Sequence, residues 1–427
     1  MNSRYNVNCA AAHKNRKSSK NNKTVAGGMP GGCVDGPQVA VVSPSQKARG
    51  NITIEKYLEE TMITKHLFKH DMLRSGAAVL GTLLALSTAA FAADPSTFPA
   101  PTGDTSFVPA GARLELVFDG GCALTEGVSA GHDGMIYFSD ITFTKFCKDP
   151  SGKYLQAGNI WKHNPKTGET TIFRSPSGMS NGIKFDRDGN MIAALGADYG
   201  GQMLVKTDMK TGKSYILTGL YDGKPYNALN DVTIDEKGRI YFSDPRYLGH
   251  EPIFQDGYAV YRLDTDGKVT RAATDCGKCN GVLISPDQKT LYIIGNDNGW
   301  FEFQNLKEGE KTLQGHHQLQ AYDVAADGSL SNRRVLIDYT AREKPCSGPD
   351  GMIADSEGNI WLASRCEYRP GVQVLDSQGK ELAYISTGTE LPTNVGFGRG
   401  ADSNLLYLTS GKSLYKIRVG KKGYQLP

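Results

Sequence analysis

The stretch ALNDVTIDEKGRIYFSD, residues 228–244, decides the fold. A polar pair opens it, a short β-branched run follows, Asp-Glu-Lys-Gly makes a turn, and IYFSD returns as an aromatic-rich strand. That order reads as a hairpin, because glycine accepts turn backbone and β-branched and aromatic residues suit a pleated surface. The second half recurs as HDGMIYFSD (132–140), DRDGNMIAA (186–194), SPDQKTLYIIGND (285–297), DSEGNIWLAS (355–364) and DSNLLYLTS (402–410). The turn positions Gly134, Gly189, Gly238, Lys289, Gly358 and Asn404 stand 55, 49, 51, 69 and 46 residues apart. A second hairpin follows most of them, as in NIWKHNPKTGETTIF (159–173) and YAVYRLDTDGKVTRAA (258–273). Two hairpins per unit make four strands, and six such units predict an all-β, six-bladed β-propeller with four antiparallel strands per blade. A sandwich has many short strands too, but not one phrase at a near-constant spacing. The wide interval carries an insertion around Trp300–His317, read as a long surface hairpin.

Outward from the repeats, the propeller is expected over residues 115–427, with 93–114 as a lead-in. Residues 1–61 are rich in Asn, Lys, Ser and Gly with no sustained apolar period, and read as a disordered or non-native upstream extension. Residues 62–92 have a basic start, an apolar run from Ala77 to Leu86 and a small-residue end at Ala90-Phe91-Ala92. This is the layout of a signal peptide, so the protein is expected to be exported, periplasmic or secreted. The rival is an uncleaved anchor, against which the shortness of the apolar run argues. The net charge of +3 belongs to this leader: residues 1–92 hold 12 Lys+Arg and 5 Asp+Glu, leaving 36 basic against 40 acidic residues. A faintly acidic domain gives no case for nucleic acid, nor for a membrane partner after signal cleavage. Oligomeric state has no signature here.

Six cysteines remain beyond residue 92, an even number in a chain read as exported, and they fall in three sequence-local pairs. The expected disulfides are Cys122 with Cys147, Cys276 with Cys279, and Cys346 with Cys366. Cys276-Gly-Lys-Cys279 has rivals in a redox motif, half a zinc site or haem attachment. Haem attachment needs His where Asn280 stands, zinc needs a second ligand pair, and a thioredoxin motif belongs near a βαβ pattern that is absent.

Ahead of each repeat turn, by about eight residues, stands a polar residue: Glu126, Asn181, Asn230 with Asp231, Asn280, Asp350 and Asn394. Equal phase in equivalent blades should bring these side chains to one volume at the channel mouth, from loops just ahead of each innermost strand. A lone Asn-Gly or Asp-Gly is an ordinary turn, but six at matched phase are not explained that way. Carboxylates and carboxamides are hard oxygen ligands and suit one divalent metal. Ca2+ is favoured, Mg2+, Mn2+ and Zn2+ stay open, and no His joins the set as zinc or copper would prefer.

The ordered strings TEG, SNGIKFDRDGN, NALNDVTIDEKGRIYFSDPRY, CNGVLISPDQKTLYI and GPDGMIADSEGNIWLAS resemble successive signatures of the SMP-30/gluconolactonase/LRE-like family, over roughly residues 115–418. The resemblance implies a six-bladed propeller with one divalent metal, commonly calcium, and lactone hydrolysis as the leading activity. By position it makes Glu126, Asn280 and Asp350 metal ligands, Asn230 a metal or substrate ligand, and Asn181 part of the pocket. Val128, Leu229 and Cys279 stand where the family usually has proline, which bears on substrate more than on metal. On this footing Asp350 is the expected ligand and general base, with Asn181, Asn230, Arg246 and Tyr247 as substrate-binding candidates. The expected substrate is a small lactone of sugar type, such as gluconolactone. Phosphotriester or other ester cleavage at the same site, and a non-catalytic exported binding platform, are the alternatives. No G-x-S-x-G elbow is present for serine catalysis.

Overall fold

The structure is a computed structural model, and it describes residues 98–142, 147–196, 200–247, 251–297, 315–340 and 346–426. The extension 1–61, the signal segment 62–92 and most of the insertion, 298–314, lie outside the described residues.

Within them the chain folds as six four-stranded antiparallel blades, the four strands of blades 1 to 5 running outward in chain order. Blade 1 holds Leu124–Ala130, Ile136–Ile141, Asn159–His163 and Thr170–Arg174, and blade 2 holds Ser180–Phe185, Met191–Leu195, Met203–Thr207 and Ser214–Thr218. Blade 3 is Val232–Ile234, Ile240–Asp244, Ala259–Leu263 and Val269–Ala273; blade 4 is Cys279–Ile284, Thr290–Asn296, His317–Val324 and Leu330–Asp338. Blade 5 comprises Pro349–Ala354, Ile360–Ser364, Gly371–Leu375 and Glu381–Ser386, with the short strand Thr102–Gly103 added outside. Blade 6 takes Pro392–Phe397, Leu405–Ser410 and Ser413–Arg418 from the end of the chain, and its outermost strand, Glu115–Phe118, from the beginning. The six innermost strands lie side by side in order, the last returning to the first.

The repeated phrase is the hairpin between the first and second strands of a blade. Gly238 sits there at φ 80°, a left-handed conformation that costs glycine little. Blade 4, which lacks glycine at this point, places Gln288 at φ 64° instead. Each second strand is buried on both faces, as in Ile240–Asp244, because blades stack against one another. Six apolar clusters among the described residues correspond to the six interfaces between neighbouring blades. Trp361 of blade 5, for instance, meets Phe397 of blade 6 edge-on at 5.4 Å. This burial drives closure of the ring.

The three expected disulfides form: Cys122–Cys147, Cys276–Cys279 and Cys346–Cys366. Among the described residues no helix is long and apolar enough to cross a membrane.

Candidate active site at the channel mouth

The aligned polar residues lie on the innermost strands rather than in the loops ahead of them. Glu126, Asn181, Asn280, Asp350 and Asn394 fall within the first three residues of their strands, and only Asn230 and Asp231 precede theirs. Pairing with the second strand slips at these points, between Glu126 and Ser129, Ser180 and Ile183, Cys279 and Val282, and Pro349 and Met352. A slip of this kind kinks the strand and re-aims a side chain. The glycine that follows lets the next strand approach. A Cβ on Gly127, itself at φ 56°, would run into the carbonyl of Asn181, and one on Gly281 into that of Asp350. Blades 3 and 6 depart from the pattern, with Asp231 and Val395 where the other four carry glycine. Asp231 Oδ2 accepts the Val282 N–H at 3.1 Å and so ties blade 3 to blade 4.

The geometry brings together Glu126, Asn280, Asp350, Asp231 and Tyr247. Glu126 and Asp350 are 4% and 8% exposed, so both carboxyls are largely cut off from water. Burial first, then the charges of Asp350 and Asp231, raise the Glu126 pKa well above the carboxylate range. Burial also raises that of Asp350, opposed by Arg365 and by a hydrogen bond from Asn280. Arg365 Nη1 donates to Asp350 Oδ2 at 3.2 Å. Tyr247 Oη accepts from Asn280 Nδ2 at 3.2 Å and donates to the Asn296 carbonyl at 2.9 Å. Asn181 is buried with its Oδ1 unpartnered, and Asp231 likewise leaves Oδ1 without a donor. Asn230 is half-buried, its carbonyl accepting the Gly182 N–H at 2.7 Å.

Two expected or aligned residues stand apart. Arg246 has no exposed side-chain surface; its guanidinium pairs with Glu251 at 3.3 Å and donates to the Glu251 carbonyl. Asn394 turns its Oδ1 onto the N–H of Val395. Sequence reasoning missed Arg365, which follows a strand outside the repeat phase, and Lys278, whose Nζ lies 5.7 Å from the Tyr247 ring centre and 5.6 Å from that of Tyr258.

Among the described residues no cluster of three or more His, Cys, Asp or Glu side chains is arranged about a cation. The donor set is mixed instead, two carboxylates with carboxamide oxygens. A divalent cation fits such a set: Arg365 offsets only part of the negative charge gathered in the buried carboxylates, and carboxamide oxygens add neutral donors.

A six-bladed propeller with buried acids and amides at one end of its channel belongs to the class that builds a site from the starts of its innermost strands. The profile of the SMP-30/Gluconolactonase/LRE-like region matches residues 125–412, and the chain belongs to that family. It is 26% identical over 309 residues to a gluconolactonase of Zymomonas mobilis, covering 67% of this chain and 78% of that one. It is 28% identical over 257 residues to a pentonolactonase of Haloferax volcanii, covering 60% and 75%. Among solved structures it resembles the calcium-binding protein regucalcin of Agrobacterium tumefaciens, with a TM-score of 0.55 and 19% identity over 77% of this chain and 97% of that one.

Proposed function

We propose that this protein is an exported lactonase that opens a small, hydroxyl-rich lactone at the channel mouth with the help of one divalent cation, calcium before Mg2+, Mn2+ or Zn2+. The observation that carries the reading is the buried pair Glu126 and Asp350 among carboxamides from neighbouring blades. The gluconolactonase and pentonolactonase relatives support lactones as substrates. The calcium-binding relative of the same fold supports the choice of cation. Three disulfides support an oxidising compartment.

Glu126, Asn230, Asn280 and Asp350 would hold the cation, which when bound polarises the lactone carbonyl. Asp350 orients a water and takes its proton as the water oxygen bonds to the carbonyl carbon. The ring C–O bond then breaks, and the proton passes to the departing alkoxide, giving a hydroxy acid that loses its carboxyl proton to solvent and leaves as the hydroxycarboxylate. Arg365 and Asn280 favour the charged form of Asp350 against the burial that raises its pKa, and Arg365 holds it in place for that role. Asn181 and Asn230 donate hydrogen bonds to substrate oxygens, while Tyr247, whose hydroxyl proton goes to the Asn296 carbonyl, holds the Asn280 amide in place. Arg246, beside Tyr247, pairs with Glu251.

Asp350→Asn tests the assignment. Lactone opening should fall by about a thousandfold or more, the range for loss of a general base, while the circular dichroism of the sheet persists. Calorimetric titration of the native protein should show Ca2+ binding, and chelation should remove activity. Unchanged turnover in the variant would sink the assignment of Asp350.

A further inference from the structure

Arg365 follows the second strand of blade 5, Ile360–Ser364, which pairs with the innermost strand that carries Asp350. Its own N–H donates to the Gly348 carbonyl at 3.0 Å, and the next residue, Cys366, is bonded to Cys346. The backbone just ahead of Asp350 is therefore anchored to the backbone that carries Arg365. One nitrogen of the guanidinium, Nη1, reaches Asp350 Oδ2. Among the described residues Asp350 is its only side-chain partner, and 21% of the side chain remains exposed. A guanidinium has five N–H donors in a planar fork, so donors remain at the exposed edge beside the acid.

We propose that Arg365 has two roles: it positions Asp350, and its remaining donors bind the oxygens of the substrate and the carboxylate of the product. The proposal rests on the lactonase reading above. Opening a lactone creates a carboxylate, and a planar fork of donors is the side-chain geometry that matches one. The same donors favour lactones bearing hydroxyls near the carbonyl over unsubstituted rings, since an unmet donor in a half-enclosed site lowers affinity. A purely structural ion pair of this exposure contributes little to stability, so the two accounts differ in what they predict.

The experiment compares the native protein with Arg365→Gln and Arg365→Lys. Calorimetry measures gluconate binding with calcium and with chelator, and kinetics measure gluconolactone and the hydroxyl-free δ-valerolactone. The glutamine variant should bind gluconate about tenfold or more weakly, in line with loss of hydrogen bonds to a charged group. Its KM should rise for gluconolactone and change little for δ-valerolactone, with the thermal midpoint within a few degrees of native. Arg365→Lys keeps the charge and loses the fork, so it should fall between, and it decides the same way if the glutamine variant does not fold. Equal gluconate affinity in native and variant protein, or no gluconate binding by the native protein, overturns the proposal. Absence of turnover on both lactones counts against the lactonase reading instead, and the gluconate comparison still decides the role of Arg365.

Discussion

Asp231 shows how one residue serves both ring and site. It occupies the place of an innermost-strand glycine, is 2% exposed, accepts from Val282, and adds negative charge beside Glu126 and Asp350. Asp231→Ala should cost about 2 kcal/mol, because it strands the Val282 N–H and removes the negative charge that favours the ammonium form of Lys184. Denaturant titration reads the loss directly. In the sequence this residue was legible only as half of an Asn-Asp pair. Its link to Val282 spans 51 residues, which no local pattern announces. Arg365 was illegible for a related reason: its partner stands 15 residues back, on the adjacent strand rather than at the matched phase.

Within a single blade, the slipped pairing and its glycine aim the site. Gly281→Ala would press a Cβ onto the Asp350 carbonyl, and the strand has to move. The expected result is a loss of about 1–3 kcal/mol, typical of overpacking, together with weaker calcium binding by calorimetry. His163, at the end of the third strand of blade 1, contributes to the pH dependence of stability. It is 3% exposed and pairs with Thr170 Oγ1 at 2.9 Å. Burial, helped by the charge of Lys416, lowers its pKa to about 4. An unfolded histidine titrates near about 6.5, so between these values the unfolded chain binds the extra proton. The contribution to stability is therefore full above about pH 6.5 and is lost as pH falls toward 4. Urea midpoints at pH 7.5 and pH 4.5 should differ less in His163→Gln than in the native protein. The polar residues were legible in order and phase, but not their place on the strands, since a slip in pairing leaves no mark beyond a glycine.

Across the whole molecule, the number of blades was legible because turn, strand and spacing repeat. Closure was not. Glu115–Phe118 is four residues without a turn of its own, and its partner, Ser413–Arg418, lies at the other end of the chain. Phe118 packs against Trp161 at 4.8 Å and Phe138 at 5.6 Å, across the seam between blades 6 and 1. Phe118→Ala should destabilise the protein by about 3 kcal/mol. A calorimetric scan should show one cooperative transition at lower temperature, since the seam is shared by the entire ring.

That seam also sets a timetable. A ribosome releases Glu115–Phe118 long before Ser413–Arg418 exists, so the first blade must wait with an uncovered flank while the others are made. A nascent chain can stack blades one after another, but it becomes a ring only when its final strands arrive. Until then the apolar face of blade 1 that blade 6 covers, Val128, Ile136 and Phe138, stays open to any passing chain. The chain therefore carries an open seam through the interval between finishing the fifth blade and closing the sixth.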